Sequence, residues 1–409
     1  MKYEVVVVGA GPAGSTAAKY LAEKGIKVLL VDKSTFPRVK PCGGGLPARV
    51  LKRFTYIRHE WIESISYGIC AYSPSLRYNV ELLETEPLIA MVLREKFDYE
   101  LVKLAVASGA TFMDNGRSVE DINVTGKRAN VTLKDGTDIE TQIVVGADGV
   151  GSTIAKKSGY RQNPRHICVC VLNEYQMNSE TLDQFFSEKR LCHIHLNVEG
   201  IAGYGWVFPK KDHVNIGITD FKQAVDPSKP RPNLKEVYNN YFKILKKNKI
   251  LPDTLKIGEL QGGVLPTHPV KKTYADRVIL CGDAGGLANP ASGEGIYYAM
   301  VSGEIAADVI AEALEMNDTS ERFLSKYQTR WENDFGKDLK LLFRASKRWG
   351  YNTEKAVKLA SKDTKLAELA KNIITGQCSI HHYKWKLARR FLYLYAKDLL
   401  QGRKPRKVT

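Results

Sequence analysis

The fold is decided by residues 3–14, Tyr3-Glu4-Val5-Val6-Val7-Val8-Gly9-Ala10-Gly11-Pro12-Ala13-Gly14. Tyr3 to Val8 is a short, β-branched, largely uninterrupted apolar run, as a strand buried on both faces of a parallel sheet requires. Glycines follow at once. Ser15 to Lys24 then places Ala17, Ala18, Leu21 and Ala22 on one helical face, and Gly25 closes the helix. A second strand, Lys27 to Val31, ends in Asp32. Gly9 permits the tight turn, Gly11 lets the backbone approach a pyrophosphate, and Gly14 lets the helix pack closely on the strand. Free N–H groups and the helix dipole at this turn favour phosphate. Asp32, eighteen residues beyond Gly14, is placed to accept hydrogen bonds from a ribose. A glycine turn alone is weak evidence; with the strand, the helix and the acid in place, the stretch predicts a dinucleotide site.

The 409 residues suggest two or three domains and a core that needs no staples. The first apolar run is too short for a signal peptide, and no stretch approaches the roughly 18 to 20 apolar residues of a membrane span. The expectation is a cytoplasmic protein, at most peripheral on the inner face of the membrane. Seven scattered cysteines without a CxxC pair indicate neither a disulfide framework nor a metal site. The net charge is +16, and from Lys340 to Thr409 there are 18 Lys and Arg against 4 Asp and Glu, so the C-terminal region carries nearly all of it. Such a tail suits an anionic membrane surface, a phosphorylated substrate or a solvated face; with no accompanying motif, nucleic acid is not the expected partner.

Further along, Pro41-Cys42-Gly43-Gly44-Gly45-Leu46 is a loop whose backbone must approach something, with Arg38 and Lys40 nearby to meet a cofactor or an anion. Trp61 to Pro87 reads as strands of a second sheet, Val92 to Ser108 as a helix, and Asp135-Gly136 as a hairpin turn. Ile143 to Gly149 is another buried strand ending in an acidic-glycine turn, with Ser152 placed to begin a helix. Arg165 to Ile218 reads as a set of strands. Within it Tyr204, Trp206 and Phe208 alternate and so share one face, either as core or as the wall of an apolar pocket. Val278 to Gly286 is a third strand-to-turn signal, and it runs through Gly293 and Gly295 into a helix from Ile296 to about Leu314, a second anion cradle. After Thr319 the chain reads as mostly helical up to a frayed basic end, Gln401 to Thr409.

Three of these signals together, the glycine turn with Asp32, Gly146-Ala147-Asp148-Gly149, and Gly282-Asp283-Ala284, resemble the FAD-binding pattern of the flavoprotein superfamily that includes p-hydroxybenzoate hydroxylase. Within it the chain is similar to the geranylgeranyl reductases, particularly the archaeal digeranylgeranylglycerophospholipid reductase-like enzymes that saturate the isoprenoid chains of membrane lipids. Lys40 to Gly45, Arg94 with Phe97-Asp98, the stretch GDAGGLANPASGEGI at 282–296, and Tyr204-x-Trp206-x-Phe208-Pro209 carry this narrower match. The last departs from the family's PxxYxWxFP signature at its first position, where Ile201 replaces proline.

The resemblance implies an α/β fold. A Rossmann-type FAD-binding domain would be built from 1–60, 92–160 and 273–318, a mixed-sheet substrate domain from 61–91 and 161–272, and a basic helical region from 319–409. It implies that Gly9, Gly11, Ala13 and Gly14 meet the pyrophosphate, that Asp32 and Lys33 lie at the adenosine ribose and Val119 at the adenine, and that Arg94 binds the phosphate or ribitol region. Asp283 would hold the ribitol, and Cys42, Gly43, Gly45, Gly293, Gly295 and Ile296 would lie by the flavin. Tyr204, Trp206, Phe208 and Pro209 would contact substrate. The implied reaction is reduction of isolated C=C bonds in geranylgeranyl lipids or geranylgeranyl diphosphate, by hydride from flavin N5 plus a proton. Cys42 is the candidate acid, since an ordinary thiol with a pKa of about 8.5 is protonated at neutral pH. The electrons would come from an external donor such as NADPH or ferredoxin. The chief alternative is a flavin monooxygenase of an aromatic or alkene substrate; a non-catalytic basic membrane module fails to explain three cofactor signals. In Tyr383 to Leu400 a stripe of Leu387, Phe391, Leu394 and Tyr395 among basic residues suits either an anionic membrane or the protein's own body.

Overall fold

Val5–Val8 lies at the centre of a sheet with all four residues buried, as its uninterrupted β-branched run demands. A computed structural model describes residues 1–224, 231–348, 350 and 352–402. The expected frayed end lies, from Arg403 onward, outside the described residues. The strand order of the central sheet is Tyr274–Ala275, Val278–Leu280, Ile143–Gly146, Val5–Val8, Val28–Val31 and Thr111–Met113. All its pairings are parallel except that of the short Tyr274–Ala275 strand with Val278–Leu280. Helices Pro12–Glu23, Arg94–Ala107 and Ile296–Glu315 cover one face. A three-stranded antiparallel sheet, Val119–Thr125, Arg128–Leu133 and Asp138–Thr141, packs its buried residues against the other. The first helix starts at Pro12, earlier than the sequence reading from Ser15, because Gly11 is its N-cap and proline suits the first turn.

A second sheet of seven strands runs Gln261–Pro266, Ile167–Gln176, His213–Phe221, Gly203–Pro209, Cys192–Leu196, Gly68–Tyr72 and Asn79–Leu83. It is antiparallel except between Cys192–Leu196 and Gly68–Tyr72. Two helices were not singled out in the sequence reading of this part. Ser179–Phe186 is capped by the Asn178 side chain and turns Leu182 and Phe186 inward. Leu234–Lys247 buries Tyr238, Tyr241 and Leu245 against the sheet. Of the strands expected between Trp61 and Pro87, Ser64–Ser66 departs to a small sheet with Gly45–Pro47 and Ile89–Met91. That small sheet anchors the far end of the glycine loop that begins at Cys42.

The C-terminal part is helical, ending in the long helix Ile380–Gly402. Its Leu387, Phe391, Leu394 and Tyr395 stripe is half-buried on the side that also carries the ion pairs to neighbouring helices. That stripe therefore packs on the protein's own body. Among the described residues, no helix is long and apolar enough to cross a membrane.

Candidate active site

The carboxyl ends of four central strands border a cavity of about 430 Å3, within the range of small-molecule sites. Gly9, Gly11, Ala13, Asp32, Lys33, Cys42, Arg94, Val119, Asp283, Gly293, Gly295 and Ile296 all line it, although they are drawn from the whole span between residues 9 and 296. Gly14, Gly43 and Gly45 do not line it. A Cβ at Gly14 would fall 1.8 Å from the Gly9 carbonyl oxygen, so Gly14 sets helix-to-turn packing. A Cβ at Gly43 would come 3.0 Å from the Phe208 ring, and Gly45 pairs with Met91 in the small sheet. Arg38, Lys40, Arg117 and Cys170 also line the cavity.

Two helix N-termini open into this space, at Gly11 and at Gly295; among the described residues no side chain caps the first, and at the second Glu294 Oε1 accepts from Tyr297 N at 2.7 Å and leaves the Ile296 end open. Their free N–H groups supply donors for an anion or a polar ring edge. The Asp32 carboxylate accepts from Ala10 N at 2.7 Å and Ser34 N at 2.8 Å, which orients it at the end of its strand with lone pairs to spare. Arg94 makes two parallel bonds to Asp98, at 2.7 and 2.8 Å, and Arg38 Nη2 reaches the same carboxylate at 3.0 Å. Burial works against the charge on Arg94, but the Asp98 carboxylate outweighs it and holds the guanidinium above its ordinary range. Arg38 Nη1 is buried without a hydrogen-bond partner among the described residues. Burial raises the pKa of Asp283, and Lys40 and Arg94 partly oppose the rise. Asp148, the acid of the second motif, spends its carboxylate on Thr153 N at 2.7 Å and Ile154 N at 3.3 Å, so it shapes the wall as a helix cap.

The aromatic strand Gly203–Pro209 lies behind the Cys42–Gly45 loop rather than in the wall of this cavity. Tyr204, Trp206 and Phe208 share one face, with successive ring centroids 6.0 and 6.2 Å apart. The intervening Gly205 faces the other way, where a Cβ would lie 2.5 Å from the Tyr241 ring, and Trp206 lies flat over Gly217, where a Cβ would meet the indole at 2.1 Å. Trp206 Nε1 donates to Asn215 Oδ1 at 2.6 Å, while Asn215 Nδ2 donates to the Cys42 carbonyl at 3.2 Å and to Glu174 at 2.8 Å. Lys210, almost fully buried, pairs with the same Glu174 oxygen. Tyr204 donates its hydroxyl to the Ser292 carbonyl, and burial pushes its phenol up so that it stays protonated. Pro209, at the end of the strand, accepts from Ser64 Oγ at 2.9 Å. Ile201 has φ −63°, the angle a proline would impose, and its N–H bonds to Val198 O at 3.0 Å. The bend is kept without the proline.

The sequence marks Arg38 only as a positive charge near the glycine loop; its place beside the glycine turn comes from the fold. Asn215, Glu174 and Lys210 had not been singled out. Glu174 and Asn215 are direct cross-strand partners, as are Asn215 and Phe208, and only the register reveals this.

The residues fit FAD. The close-packed glycine turn, the uncapped helix N-terminus at Gly11, the helix N-terminus at Gly295, the oriented Asp32 and Arg38 Nη1, which has no partner among the described residues, form one continuous cradle. The FAD binding domain family matches residues 2–333. A digeranylgeranylglycerophospholipid reductase of Methanopyrus kandleri is 32% identical over 362 residues, covering 85% of this chain and 86% of its own. Another, from Methanocaldococcus jannaschii, is 33% identical, covering 81% and 82%. A solved geranylgeranyl bacteriochlorophyll reductase-like protein of Thermoplasma acidophilum superposes with a TM-score of 0.78 at 25% identity, over 94% of this chain and 98% of its own. A flavin-dependent brominase, at 18% identity and a TM-score of 0.71, shares the fold. The chain thus belongs to the FAD binding domain family and, within it, to the family of the digeranylgeranylglycerophospholipid reductases.

Proposed function

We propose that this protein reduces isolated C=C bonds in the geranylgeranyl chains of an isoprenoid lipid. The observation that carries the reading is the aromatic strand, tied by Tyr204 to one glycine loop and through Asn215 to the other, beside a cavity shaped for FAD. Gly9, Gly11 and Ala13, in the turn that Gly14 packs, would hold the pyrophosphate, with Arg38 and Arg94 beside it. Asp32 and Lys33 would meet the ribose, Val119 the adenine and Asp283 the ribitol. Gly293, Gly295 and Ile296 would present the second helix N-terminus to the ring system, with Cys42 on the same cavity and Gly43 and Gly45 shaping the loop behind it. Bound FAD, once reduced by an external donor such as NADPH or ferredoxin, supplies the hydride.

The chain's own residues supply the proton and the setting. Cys42 would give the proton from Sγ, which accepts from Gly44 N at 3.4 Å and lines the same cavity as the Arg94 guanidinium. Once that proton is given to the alkene, the thiolate is left beside a cation. An isolated alkene has no carbonyl to take up charge, so positive charge grows at its more substituted carbon. The faces of Tyr204 and Trp206 stabilise such charge. Asn215 holds the indole and the Cys42 backbone in one frame, and Glu174 and Lys210 hold Asn215. Pro209, buried at the end of the strand and bonded to Ser64, fixes where the row of rings stops.

The test is mass spectrometry of a digeranylgeranyl phospholipid after anaerobic incubation with FAD-loaded protein and dithionite, next to an aerobic sample with NADPH. Stepwise gain of hydrogen pairs is expected. Gain of oxygen in the aerobic sample without hydrogenation would replace the reading with a monooxygenase. Cys42→Ser should lower turnover while keeping FAD; full turnover in that variant would remove Cys42 as the acid.

A further inference from the structure

The helix Ile380–Gly402 has a second apolar face, distinct from the stripe packed on the body. Trp385 is 69% exposed, Leu392 64%, Tyr393 59%, Leu399 47% and Leu400 69%. Trp385, Leu392 and Leu399 follow one another at seven-residue intervals, two helical turns, and Tyr393 and Leu400 continue alongside. Lys386, Arg389 and Lys397 stand exposed among them.

This orientation is held from the other side. Arg390 Nε bonds Asp363 at 3.0 Å, Lys358 pairs with Asp398 at 2.9 Å, and the Lys355 ammonium lies 3.3 Å from the centre of the Tyr395 ring. At the helix start, Ser379 Oγ and His381 N both bond Asp338, at 2.7 and 3.0 Å. Rolling the helix to hide Trp385 and Leu392 would break these contacts. Asp398, the sole acidic residue of the helix, is turned inward to Lys358, so the outward face is apolar and cationic without a carboxylate.

We infer that this face docks the protein on an anionic lipid surface, the helix lying along it. Charge complementarity selects the occupant: basic side chains interleaved with Trp, Tyr and Leu fit the boundary where acyl chains meet acidic headgroups. Lys386, Arg389 and Lys397 extend their charges to the headgroups while the rings and leucines enter the apolar layer. Only the further step, that the docked surface delivers the substrate, rests on the proposed reduction of a membrane lipid.

The experiment is flotation of the full, FAD-loaded chain with phosphatidylcholine vesicles, with and without phosphatidylglycerol. In parallel, turnover is measured on lipid dispersed in detergent. Wild type should float with the anionic vesicles and far less with the neutral ones. The triple variant Trp385→Gln, Leu392→Gln, Leu399→Gln should lose binding by about tenfold or more, with circular dichroism and detergent turnover unchanged. The variant Lys386→Gln, Arg389→Gln, Lys397→Gln should lose the preference for phosphatidylglycerol. Undiminished flotation of the apolar variant would overturn the inference. So would a wild type that ignores vesicles but forms dimers that the apolar variant abolishes, since the face would then cover a second copy. Flotation as expected, with no detergent turnover by wild type, would uphold the docking face and defeat the proposed reaction.

Discussion

Arg38→Met tests the cofactor cradle at the point where its residues have the least other reason to exist. Arg38 reaches Asp98 through Nη2 at 3.0 Å, but its buried Nη1 has no partner among the described residues, and the guanidinium lies beside the pyrophosphate turn. A Cβ added at Gly11 would be 3.5 Å from Nη2, which fixes how near the two are. If Nη1 serves the pyrophosphate, its removal costs one charged hydrogen bond, about 1.5–3 kcal/mol, or roughly ten- to a hundredfold in FAD affinity. The fold should tolerate the change. Asp98 keeps both bonds from Arg94, so unfolding of the apoprotein should move by about 1–3 kcal/mol, less than for loss of Arg94. Arg94→Met behaves differently, because it takes two of the three bonds from a fully buried carboxylate and should cost about 3–5 kcal/mol of stability. Titration of apoprotein with FAD, followed by flavin fluorescence, together with urea unfolding of each variant, separates the two effects. Unchanged FAD affinity in a folded Arg38→Met protein would refute the role given to Nη1.

Asn215→Leu should leave FAD affinity intact while lowering turnover and costing about 1–3 kcal/mol in urea unfolding, because the Trp206 N–H and the Cys42 carbonyl both lose their partner. Gly43→Ala should cost a similar amount, about 1–3 kcal/mol by thermal unfolding, since its Cβ would sit 3.0 Å from Phe208 carbons and 3.2 Å from Trp206 Nε1. Burial lowers the pKa of His193 to about 4 and of His195 to about 3. The unfolded chain takes up these protons near pH 6.5 and the folded chain does not, so stability should fall as pH drops from about 6.5 towards 4, by roughly 2 kcal/mol per histidine at pH 5. Urea unfolding against pH checks this, and His195→Gln should flatten the slope.

The central sheet and the glycine turn were legible because each depends on neighbours in sequence. A β-branched run, a glycine spacing and an acid at a strand end are all local. The convergence of residues near 9, 42, 94, 148, 283 and 295 was readable only through the family resemblance, since no local pattern brings them together. Arg94 and Asp98 show the boundary well. Their spacing of four residues predicts a pair on one helix face, whereas Arg38 joins them from a loop that no periodicity describes. Asn215 was hidden for a different reason: in a strand, function follows from what stands opposite, and the register with Glu174 and Phe208 is a property of the folded sheet. The C-terminal stripe was seen, but a helix this amphiphilic carries two apolar faces, and only the ion pairs on one side say which is turned inward.

Gly303, in the helix that begins at Ile296, packs so tightly on the first helix that a Cβ there would lie 2.3 Å from the Ala13 carbonyl oxygen. The Val278–Leu280 strand likewise completes the floor beside Ile143–Gly146. A chain leaving the ribosome therefore carries the glycine turn, Asp32, Cys42 and Arg94 long before it has the wall that encloses them. Flavin capture should thus wait until the Ile296–Glu315 helix has been made and docked, and a chain cut short before Val278 should bind no flavin by visible absorbance.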